Sequence, residues 1–549
     1  MNNSVKTYPQ LKPKPDVGES HVWLSAMGLS IGLVMVATLL SVIMWNGIEV
    51  FWPKRIVEFT VNKNGKEVHV GGEIVQRRNK PIQNDGKIHA EIQLFTGNKE
   101  VYGQGFRFID VSDVVKETTP SRVIKVERMT YGNAIGKPVR LKIAGSESIS
   151  ADDNRFDARL DEAIAEVTTR RQVIMHLEEQ LIGSISRQIA AKEIDIKIAT
   201  RRNEPAGVSA AKAEIETLSL KSTELATQSR GLRKRQNENS LEMVLFTGEK
   251  KSIIIGNVVD VTWSNELSWF GRAQVFVKNL WHFIFEKPRE ANTEGGIWPA
   301  IFGTFVMTLL MSIAVTPVGV VAAIYLREYA KQGPVVRIVR IAVNNLAGVP
   351  SIVFGVFGLG FFVYIVGGSI DDLFFSDKLP TPTFGTGGIL WSALTMALMT
   401  VPVVIVATEE SIAAVPRGAR EGSLACGASK WQTIQRVVLP ASIPGILTGM
   451  ILAMARGAGE VAPLMLVGVV KLAPTLPLDS IYPFFHLDQK FMHLGFHIFD
   501  LGFQSPDSEA AKPMVFATTF FLIMLVMVLN LGAIILRERI RRRYATSAF

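Results

Sequence analysis

Six long apolar runs constrain this chain more than any other feature of its sequence. A helix needs about 20 apolar residues to cross a hydrocarbon core of about 30 Å. Five of the runs are continuous and lie at about 22–45, 297–325, 341–366, 389–408 and 513–536. A sixth run, at about 441–470, is also apolar but carries Arg456 and Glu460. The sequence therefore predicts a polytopic α-helical membrane protein with six transmembrane helices.

Lysine and arginine are unevenly distributed among the segments that connect these runs. Residues 326–340, residues 413–440 and the tail from 537 together hold 13 of them, whereas 367–388 and 471–512 together hold 4. Short loops rich in Lys and Arg stay on the cytoplasmic side of a membrane. We therefore expect both termini to be cytoplasmic and the long polar segment 53–296 to lie on the outer side.

This topology divides the chain into consecutive regions. The first run is longer than the apolar core of a cleaved signal peptide, and no A-x-A-like site follows it, so it is expected to remain as a transmembrane helix. The expected regions are a cytoplasmic N-terminus (1–21), a first transmembrane helix (22–45), a periplasmic domain (53–296), a core of five transmembrane helices (297–537) and a basic cytoplasmic tail (538–549).

The outer segment combines strand and helix patterns. Residues 56–61 and 67–75 alternate apolar and polar side chains around Asn64-Gly65, which predicts a β-hairpin. Between about 154 and 240, apolar residues recur at helical spacings on both sides of a Pro/Gly-containing turn at 203–207, which predicts a coiled-coil-like helical hairpin. We expect a large extracytoplasmic α+β domain. Its hairpin could dock a partner or could simply pack on itself.

Several function classes lack their sequence signatures. The chain has no phosphate-binding G-x-x-x-x-G-K-[ST] motif, no HExxH, no CxxC and no G-x-S-x-G. No catalytic residue, metal site or cofactor is therefore predicted, and ATP hydrolysis would have to come from another subunit. The net charge of +9 partly reflects topology and does not indicate a nucleic-acid partner. Cys426 is the single cysteine, so no intrachain disulfide can form.

Three histidines in the last outer loop raise the question of a metal site. His486, His493 and His497 have only scattered acids near them in the sequence and are interspersed with phenylalanines. This composition favours an amphipathic piece at the membrane interface over a metal site.

The polar stretch 413–440 lies between two apolar runs and has its own helical pattern. Residues 418–426 favour a short helix, and Gly427 can adopt the positive φ that reverses the chain. In a second helix, 429–438, the side chains of Trp431, Ile434 and Val438 would share one face. Leu439-Pro440 would end it. Such a protruding helix–turn–helix could be bound by a partner protein, or it could be an ordinary helical loop.

The spacing within this stretch resembles a known loop. Glu421, Gly427, Val437 and Leu439-Pro440 follow the pattern of the EAA loop of ATP-binding-cassette (ABC) importer permeases, with Gly422-Ser423 in place of Ala-Ala and Val437 in place of Ile. In that family the loop docks into the ATPase subunit. The resemblance thus implies an ATPase-coupling loop made of Arg420, Glu421, Gly422, Ser423, Gly427, Trp431, Val437, Leu439 and Pro440.

A wider resemblance covers roughly half of the chain. Residues 303–330, 344–362, 397–434 and 439–466 resemble the PstA family, permease subunits of bacterial phosphate importers, although segment 53–296 is much longer than the link usual there. The resemblance implies a type I ABC importer permease-like core in the inner membrane that imports inorganic phosphate. It implies, as partners, a PstB-like ATPase, a PstC-like permease, a PstS-like periplasmic phosphate-binding protein and membrane lipid.

Arg456 and Glu460 are charges within an otherwise apolar run. They are four residues apart and would share a helix face. Charged groups inside a membrane usually face a bundle interior or an aqueous path. They could form a structural ion pair, or Arg456 could bind a passing oxyanion while Glu460 holds it in place.

Three alternative functions remain open from the residues alone. The chain could be a permease for sulfate or molybdate, or a membrane-anchored sensor or scaffold that acts through its outer hairpin. A proton-coupled secondary transporter would show internal repeats with matched broken helices. We identify none in the sequence.

Overall fold

The structure is a computed structural model, which describes residues 20–63, 65–80, 90–145, 148–473, 475–478 and 484–545. Nearly all of the predicted cytoplasmic N-terminus (1–21) and the last residues of the basic tail lie outside the described residues. The described chain forms a membrane part of long apolar helices and an α+β domain inserted between the first two of them.

Six helices among the described residues are long and apolar enough to cross a membrane, which confirms the number predicted. The fourth packs against the second and the fifth around buried Met307, Met311 and Met396. The first packs along the sixth and leaves most of its side chains exposed, as a lipid-facing helix does. In chain order these helices, here the first to sixth spans, are Val22–Glu49, Trp298–Tyr329, Ser351–Phe374, Ile389–Ala413, Lys430–Gly459 and Ser508–Arg542.

The predicted run 341–366 is not one helix. It begins inside an amphipathic helix, Pro334–Leu346, and the third span starts only at Ser351. Pro350 explains the interruption, because proline lacks an N–H and restricts the residue before it to extended conformations. The prediction of one continuous helix here was wrong.

The predicted run 441–470 is interrupted as well. The fifth span ends at Gly459, and a short helix, Ala462–Val467, follows. The ring of Pro463 would clash with the carbonyl of Gly459 in a continuous helix. The structure thus contains two interrupted helices, and the second break lies where Gly457, Gly459 and Pro463 suggest close packing or a break in the helix.

The first half of the inserted domain is an antiparallel sheet with strand order β4-β3-β2-β1-β5. The hairpin predicted around residue 65 is confirmed, with Val57 opposite Gly72 and a φ of +79° at Gly65. The buried core of the sheet includes Phe59, Ile92 and Leu94. The strands are β1 (Ile56–Lys63), β2 (Lys66–Asn79), β3 (Ala90–Phe95), β4 (Phe106–Asp110) and β5 (Val114–Thr118), with a short helix at Lys99–Tyr102.

A second antiparallel sheet has the order β10-β9-β7-β6-β11, with β8 also paired to β7. Its core is continuous with the base of the helical hairpin through Phe156, Leu160 and Val167. The strands are β6 (Ile124–Arg128), β7 (Ala134–Lys142), β8 (Ile149–Ser150), β9 (Ser240–Val244), β10 (Lys250–Ile254) and β11 (Val258–Thr262); a two-residue pair, β12 (Pro288–Arg289) and β13 (Glu294–Gly295), follows.

The helical hairpin predicted at about 154–240 is present. Its first arm runs from Phe156 to Arg201 through a π-type turn at His176–Ile182, and its second arm is Pro205–Gln236. Near the tip, Arg201 is ion-paired with Asp377, which lies in the connection between the third and fourth spans. Nearer the base of the hairpin, Glu179 Oε2 is 2.7 Å from Lys287 Nζ, and Lys287 lies shortly before the second span. The hairpin therefore reaches from its own domain to the membrane part.

Candidate coupling segment and charged helix break

The polar segment between the fourth and fifth spans, residues 413–440, is called here the coupling segment, and it contains the predicted turn. A helix, Arg417–Ala425, ends just before Gly427, whose φ is +86°. The amide of Gly427 donates to the carbonyl of Leu424 (2.9 Å), and that of Ala428 donates to Ser423 (3.2 Å). These bonds satisfy carbonyls at the helix end. The reversal at Gly427 is therefore as predicted.

The next helix begins with a capping box. The Ser429 hydroxyl accepts a hydrogen bond from the Gln432 amide (3.2 Å), and the Gln432 side chain accepts one from the Ser429 amide (2.8 Å). The two helices also touch directly, because the hydroxyls of Ser423 and Thr433 are 3.0 Å apart. These contacts make the coupling segment a compact unit.

Two basic residues fasten this unit to the end of the second span. Arg420 Nη1 lies 2.8 Å from Glu328 Oε1, and another guanidinium nitrogen donates to the carbonyl of Ile412. Lys430 donates to the carbonyl of Glu328 and lies 4.9 Å from the ring centre of Tyr329. The segment therefore links the ends of the second, fourth and fifth spans. Glu328 and Lys430 were not identified from the sequence, where their only signal is a charge beside an apolar run.

An apolar cluster supports the same junction. It joins the second span, the fourth span and the start of the fifth, and Leu439 packs against it. Val437 is only partly buried. The buried members of the cluster are Ile324, Ile412, Val415, Ile434 and Val438.

The opposite surface of the coupling segment is open. Glu421 and Gly422 are exposed, and so are Leu424 (49%) and Trp431 (55%). Trp431, predicted to share one helix face with Ile434 and Val438, is not buried with them, because the first turn of this helix projects beyond the cluster that buries the other two. Tryptophan is enriched in protein–protein interfaces, so this surface is a candidate for docking a partner.

The second helix of the coupling segment does not end at Pro440, contrary to the prediction. It continues as the fifth span, so that Lys430–Gly459 is one helix of 30 residues, about 45 Å long. A π-type turn at Ile434–Val438 lies directly before the proline. Such a wider turn accommodates a residue that lacks an N–H and whose ring crowds the preceding turn. The coupling segment is therefore joined rigidly to the far end of this span.

At that far end lie Arg456 and Glu460. Arg456 is in the last turn of the fifth span, and Glu460 is the first residue beyond it, with extended backbone (φ −83°, ψ 135°). Arg456 Nε is 3.8 Å from Glu460 Oε1, and about a third and a quarter of the two side chains are exposed. The pair therefore forms across a helix end, whereas a shared helix face was expected. We call residues 456–461 the charged break.

The charged break adjoins the interruption before the third span. Arg456 Nη2 lies 3.5 Å from the carbonyl oxygen of Ala347, at the end of the amphipathic helix. A Cβ at Gly355 would lie only 2.7 Å from Cα of Pro463, so the third span and the short helix beyond the break are in close contact. Arg456 thus lies where two chain interruptions meet. Non-helical backbone at membrane depth is tolerated where it is buried in protein or lines a cavity.

The histidines between the fifth and sixth spans, His486, His493 and His497, do not form a metal cluster within the described part of the chain. His493 and His497 are buried, and His493 Nδ1 accepts a hydrogen bond from the Gly495 amide at the start of the helix Leu494–Phe499. The Leu494 amide donates to Thr304 of the second span (2.8 Å). Burial lowers the pKa of His493 to about 3 and that of His497 to about 4. The segment expected to be an interfacial amphipathic re-entrant piece is packed against the second span, with His493 and His497 buried.

Comparison with known proteins defines the class. Residues 315–546 match the family described as the binding-protein-dependent transport system inner membrane component. The probable ABC transporter permease protein YqgI of Bacillus subtilis is 31% identical over 258 residues, which are 46% of this chain and 81% of that protein. YqgH of the same organism is 28% identical over 44% of this chain and 70% of its own length. The chain therefore belongs to this family of inner membrane permeases.

More specific relatives are phosphate permeases. The phosphate transport system permease protein PstA of Mycobacterium leprae is 37% identical over 175 residues, 32% of this chain and 52% of the relative. The chain thus spans about half the length of that relative, and the resemblance to PstA is confirmed. The structure of the MetNI methionine ABC transporter is 18% identical over 48% of this chain and 97% of that chain, with a TM-score of 0.32, too low to support an argument.

Proposed function

We propose that this chain is the membrane permease subunit of an ATP-driven inorganic phosphate importer, and that it forms part of the translocation path and couples to a separate ATPase. The observation that carries this proposal is the continuous helix Lys430–Gly459. One of its ends belongs to the exposed coupling segment and the other carries Arg456. A displacement of the first end by a docked protein would be transmitted to the second.

The charged break has the chemistry to receive an oxyanion. The guanidinium of Arg456 offers a planar set of donors that matches phosphate, and its contact with Glu460 is loose at 3.8 Å. The third span begins at Ser351, close by, and helix N-termini present unpaired amides and a partial positive charge. The PstA relatives are phosphate transport permeases, which supports phosphate as the anion.

The partners follow from the same proposal. A PstB-like ATPase would bind the exposed surface around Leu424 and Trp431. A PstC-like permease would complete the translocation path. A PstS-like binding protein would deliver phosphate from the periplasm. In the proposed topology both termini and the coupling segment are cytoplasmic, and domain 53–296 is periplasmic, because the basic residues are concentrated in 326–340 and 413–440.

Replacement of Arg456 tests the translocation role. Arg456→Gln should lower phosphate uptake by about tenfold or more, because a charge-assisted hydrogen bond contributes about 1.5–3 kcal/mol. Arg456→Lys should retain part of the activity, since the charge remains but the planar fork is lost. Arg539→Gln, an exposed arginine near the C-terminus, is the matched control. Uptake by Arg456→Gln equal to that of the control, at equal membrane levels, would contradict the proposal.

The rival functions give different outcomes in the same cells. A permease for sulfate or molybdate would leave phosphate uptake unchanged on deletion and would lower uptake of its own anion. A sensor or scaffold that acts through the outer hairpin would tolerate Arg456→Gln and substitutions in the coupling segment. The exposed coupling surface and the partly exposed intramembrane charges favour transport, because an anchor requires neither.

A further inference from the structure

The helix Trp269–Phe285, which precedes the second span, has two of its polar side chains, Arg272 and Asn279, on its inner side. Arg272 Nη1 and Nη2 donate to the carbonyls of Pro53 and Ser264, both at 2.9 Å, and Asn279 donates to the carbonyl of Phe51 at 3.1 Å. The buried Phe283 lies on this side as well. The inner face therefore holds the helix to the chain that leaves the first span.

The outer face of this helix carries an uncovered row of large apolar side chains, beside the exposed Gln274 and Lys278. Phe270, Val277, Trp281 and Phe285 follow one another at helical spacing and are 76%, 61%, 62% and 44% exposed. Trp269 is also exposed, at 74%. A surface helix in water normally shows the opposite arrangement, with apolar residues inside and polar residues outside. An exposed row of this kind needs an apolar surrounding.

The row continues directly into the membrane part. The rings of Trp281 and Phe285 are 4.2 Å apart, Phe285 and Trp298 are 5.5 Å apart, and Trp298 and Phe302 are 6.0 Å apart. Trp298 is the first residue of the second span. An unbroken series of aromatic rings therefore leads from the helix to a helix that crosses the membrane.

Other residues place the helix at the boundary of the hydrocarbon core. It packs in one cluster with Phe51, just after the first span, with Ile297, just before the second span, and with Phe521 of the sixth span. Trp45, four residues before the end of the first span, is 72% exposed. Tryptophan is enriched at membrane–water interfaces, where an amphipathic helix can bury its apolar face between headgroups and acyl chains.

We propose that Trp269–Phe285 is an interfacial membrane anchor whose row Phe270, Val277, Trp281 and Phe285 inserts into the lipid of the leaflet on the side of domain 53–296. The occupant is lipid because the row is continuous with the exposed apolar surface of the spans, which include Ile313 at 70% exposure. Arg272 and Asn279 connect the helix to the chain entering β1. The anchor therefore fixes the height of the inserted domain above the bilayer.

Spin labels can locate the row relative to lipid and water. Two variants of the full-length protein, both with Cys426→Ser, would carry one cysteine each, Val277→Cys or Trp281→Cys. Each cysteine would be labelled with a nitroxide, and the protein would be placed in nanodiscs of neutral and anionic phospholipid. The accessibility of the nitroxide to oxygen and to a polar nickel chelate then shows whether lipid or water surrounds it, because oxygen concentrates in lipid and the chelate in water. Ile313→Cys is the control in the bilayer. Leu220→Cys on the hairpin, an apolar side chain 67% exposed, is the control in water.

We expect the labels at Val277→Cys and Trp281→Cys to be more accessible to oxygen than to the chelate. Their ratio of oxygen accessibility to chelate accessibility should lie between the ratio at Ile313→Cys and that at Leu220→Cys. A ratio equal to that at Leu220 would show a water-exposed row and would overturn the proposal. Protection from both reagents would show that a protein surface covers the row, and would overturn it too. Should Trp281→Cys fail to insert, Val277→Cys alone decides, since it removes no aromatic ring.

Discussion

At the residue scale, Gly427 is the position where the coupling segment depends most on one side chain being absent. Its φ is +86°, yet a Cβ there would meet no atom within 4 Å. Any effect of adding a methyl group is therefore conformational and not steric. Left-handed backbone costs a non-glycine residue roughly 1–2 kcal/mol.

We accordingly expect Gly427→Ala to destabilise the turn by about 1–2 kcal/mol and to weaken binding of the ATPase partner. The matched control is Gly422→Ala, in the preceding helix, where φ is not positive and a Cβ also meets nothing. Alanine in a helix interior is favoured over glycine by about 1 kcal/mol, so this variant should be neutral or stabilising. Hydrogen exchange at residues 423–429 checks both, and equal exchange in the two variants would refute the argument.

The same residues show what could be predicted from sequence at this scale. Gly427 was identified as the reversal point because few other residues adopt positive φ. Helical spacing alone groups Trp431 with Ile434 and Val438 on one face, and it does not indicate that only Trp431 is exposed. Its exposure depends on where the neighbouring spans end, and helical periodicity within one segment does not contain that information.

At the scale of elements, segment 491–504 is expected to lose stability in acid. His493 and His497 are buried and neutral, with pKa values lowered to about 3 and about 4 from the ordinary 6.5. Asp500 raises the pKa of His497 and Lys471 lowers it, both less than burial does. The unfolded segment would bind protons that the folded one does not. The free energy of unfolding therefore falls as the pH drops from about 6.5 to 4, by up to about 1.4 kcal/mol per pH unit for each histidine.

Hydrogen exchange measured at pH 7 and at pH 5, corrected for intrinsic rates, tests this expectation. Residues 491–504 should lose protection at pH 5, whereas the arm Pro205–Gln236, which contains no histidine, should not. His493→Asn keeps a side chain that can cap the helix but cannot titrate, so its loss of protection should be smaller. Unchanged protection of the wild-type segment between the two pH values would disprove the expectation.

Helix interruptions mark the limit of sequence reasoning at this scale. Apolar runs gave the number of spans, because length and composition decide whether a helix can cross a bilayer. They did not give the break at Pro350, and the residues Gly457, Gly459 and Pro463 suggested either close packing or a break without deciding between them. Proline also lies within uninterrupted helices here, at Pro317, Pro402 and Pro444. Tertiary packing decides which prolines interrupt a helix, and the composition of the run does not report it.

At the scale of the whole molecule, the helical hairpin is expected to lie against the connection between the third and fourth spans. In the Cys426→Ser background, cysteines at Arg201 and Asp377 should be joined by a short bis-maleimide, because the native side chains form an ion pair. Glu224 lies on the second arm, 19 residues from the arm's start, and cysteines at Glu224 and Asp377 should not be joined. Absence of the first crosslink in membranes would show that the hairpin tip lies elsewhere.

This contact could not be anticipated from the sequence. Heptad spacing predicted two helices and a turn, since that pattern is local. Where the tip rests depends on the orientation of two sheets and on Arg201 and Asp377, which are 176 positions apart and unremarkable in type. The role of domain 53–296 was accordingly left open, and its contacts with the membrane part come from the structure alone.

The central claim is that an ATPase, acting on the coupling segment, drives phosphate through this chain. The most direct measurement is uptake of ³²P-phosphate at micromolar concentration by cells that lack the chain and are rescued with wild-type protein, Gly427→Asp or Gly422→Ala. We predict rescue by wild type and by Gly422→Ala, and none by Gly427→Asp, which should remain in the membrane without its ATPase. Undiminished phosphate uptake in the deletion strain, or full rescue by Gly427→Asp, would contradict the account.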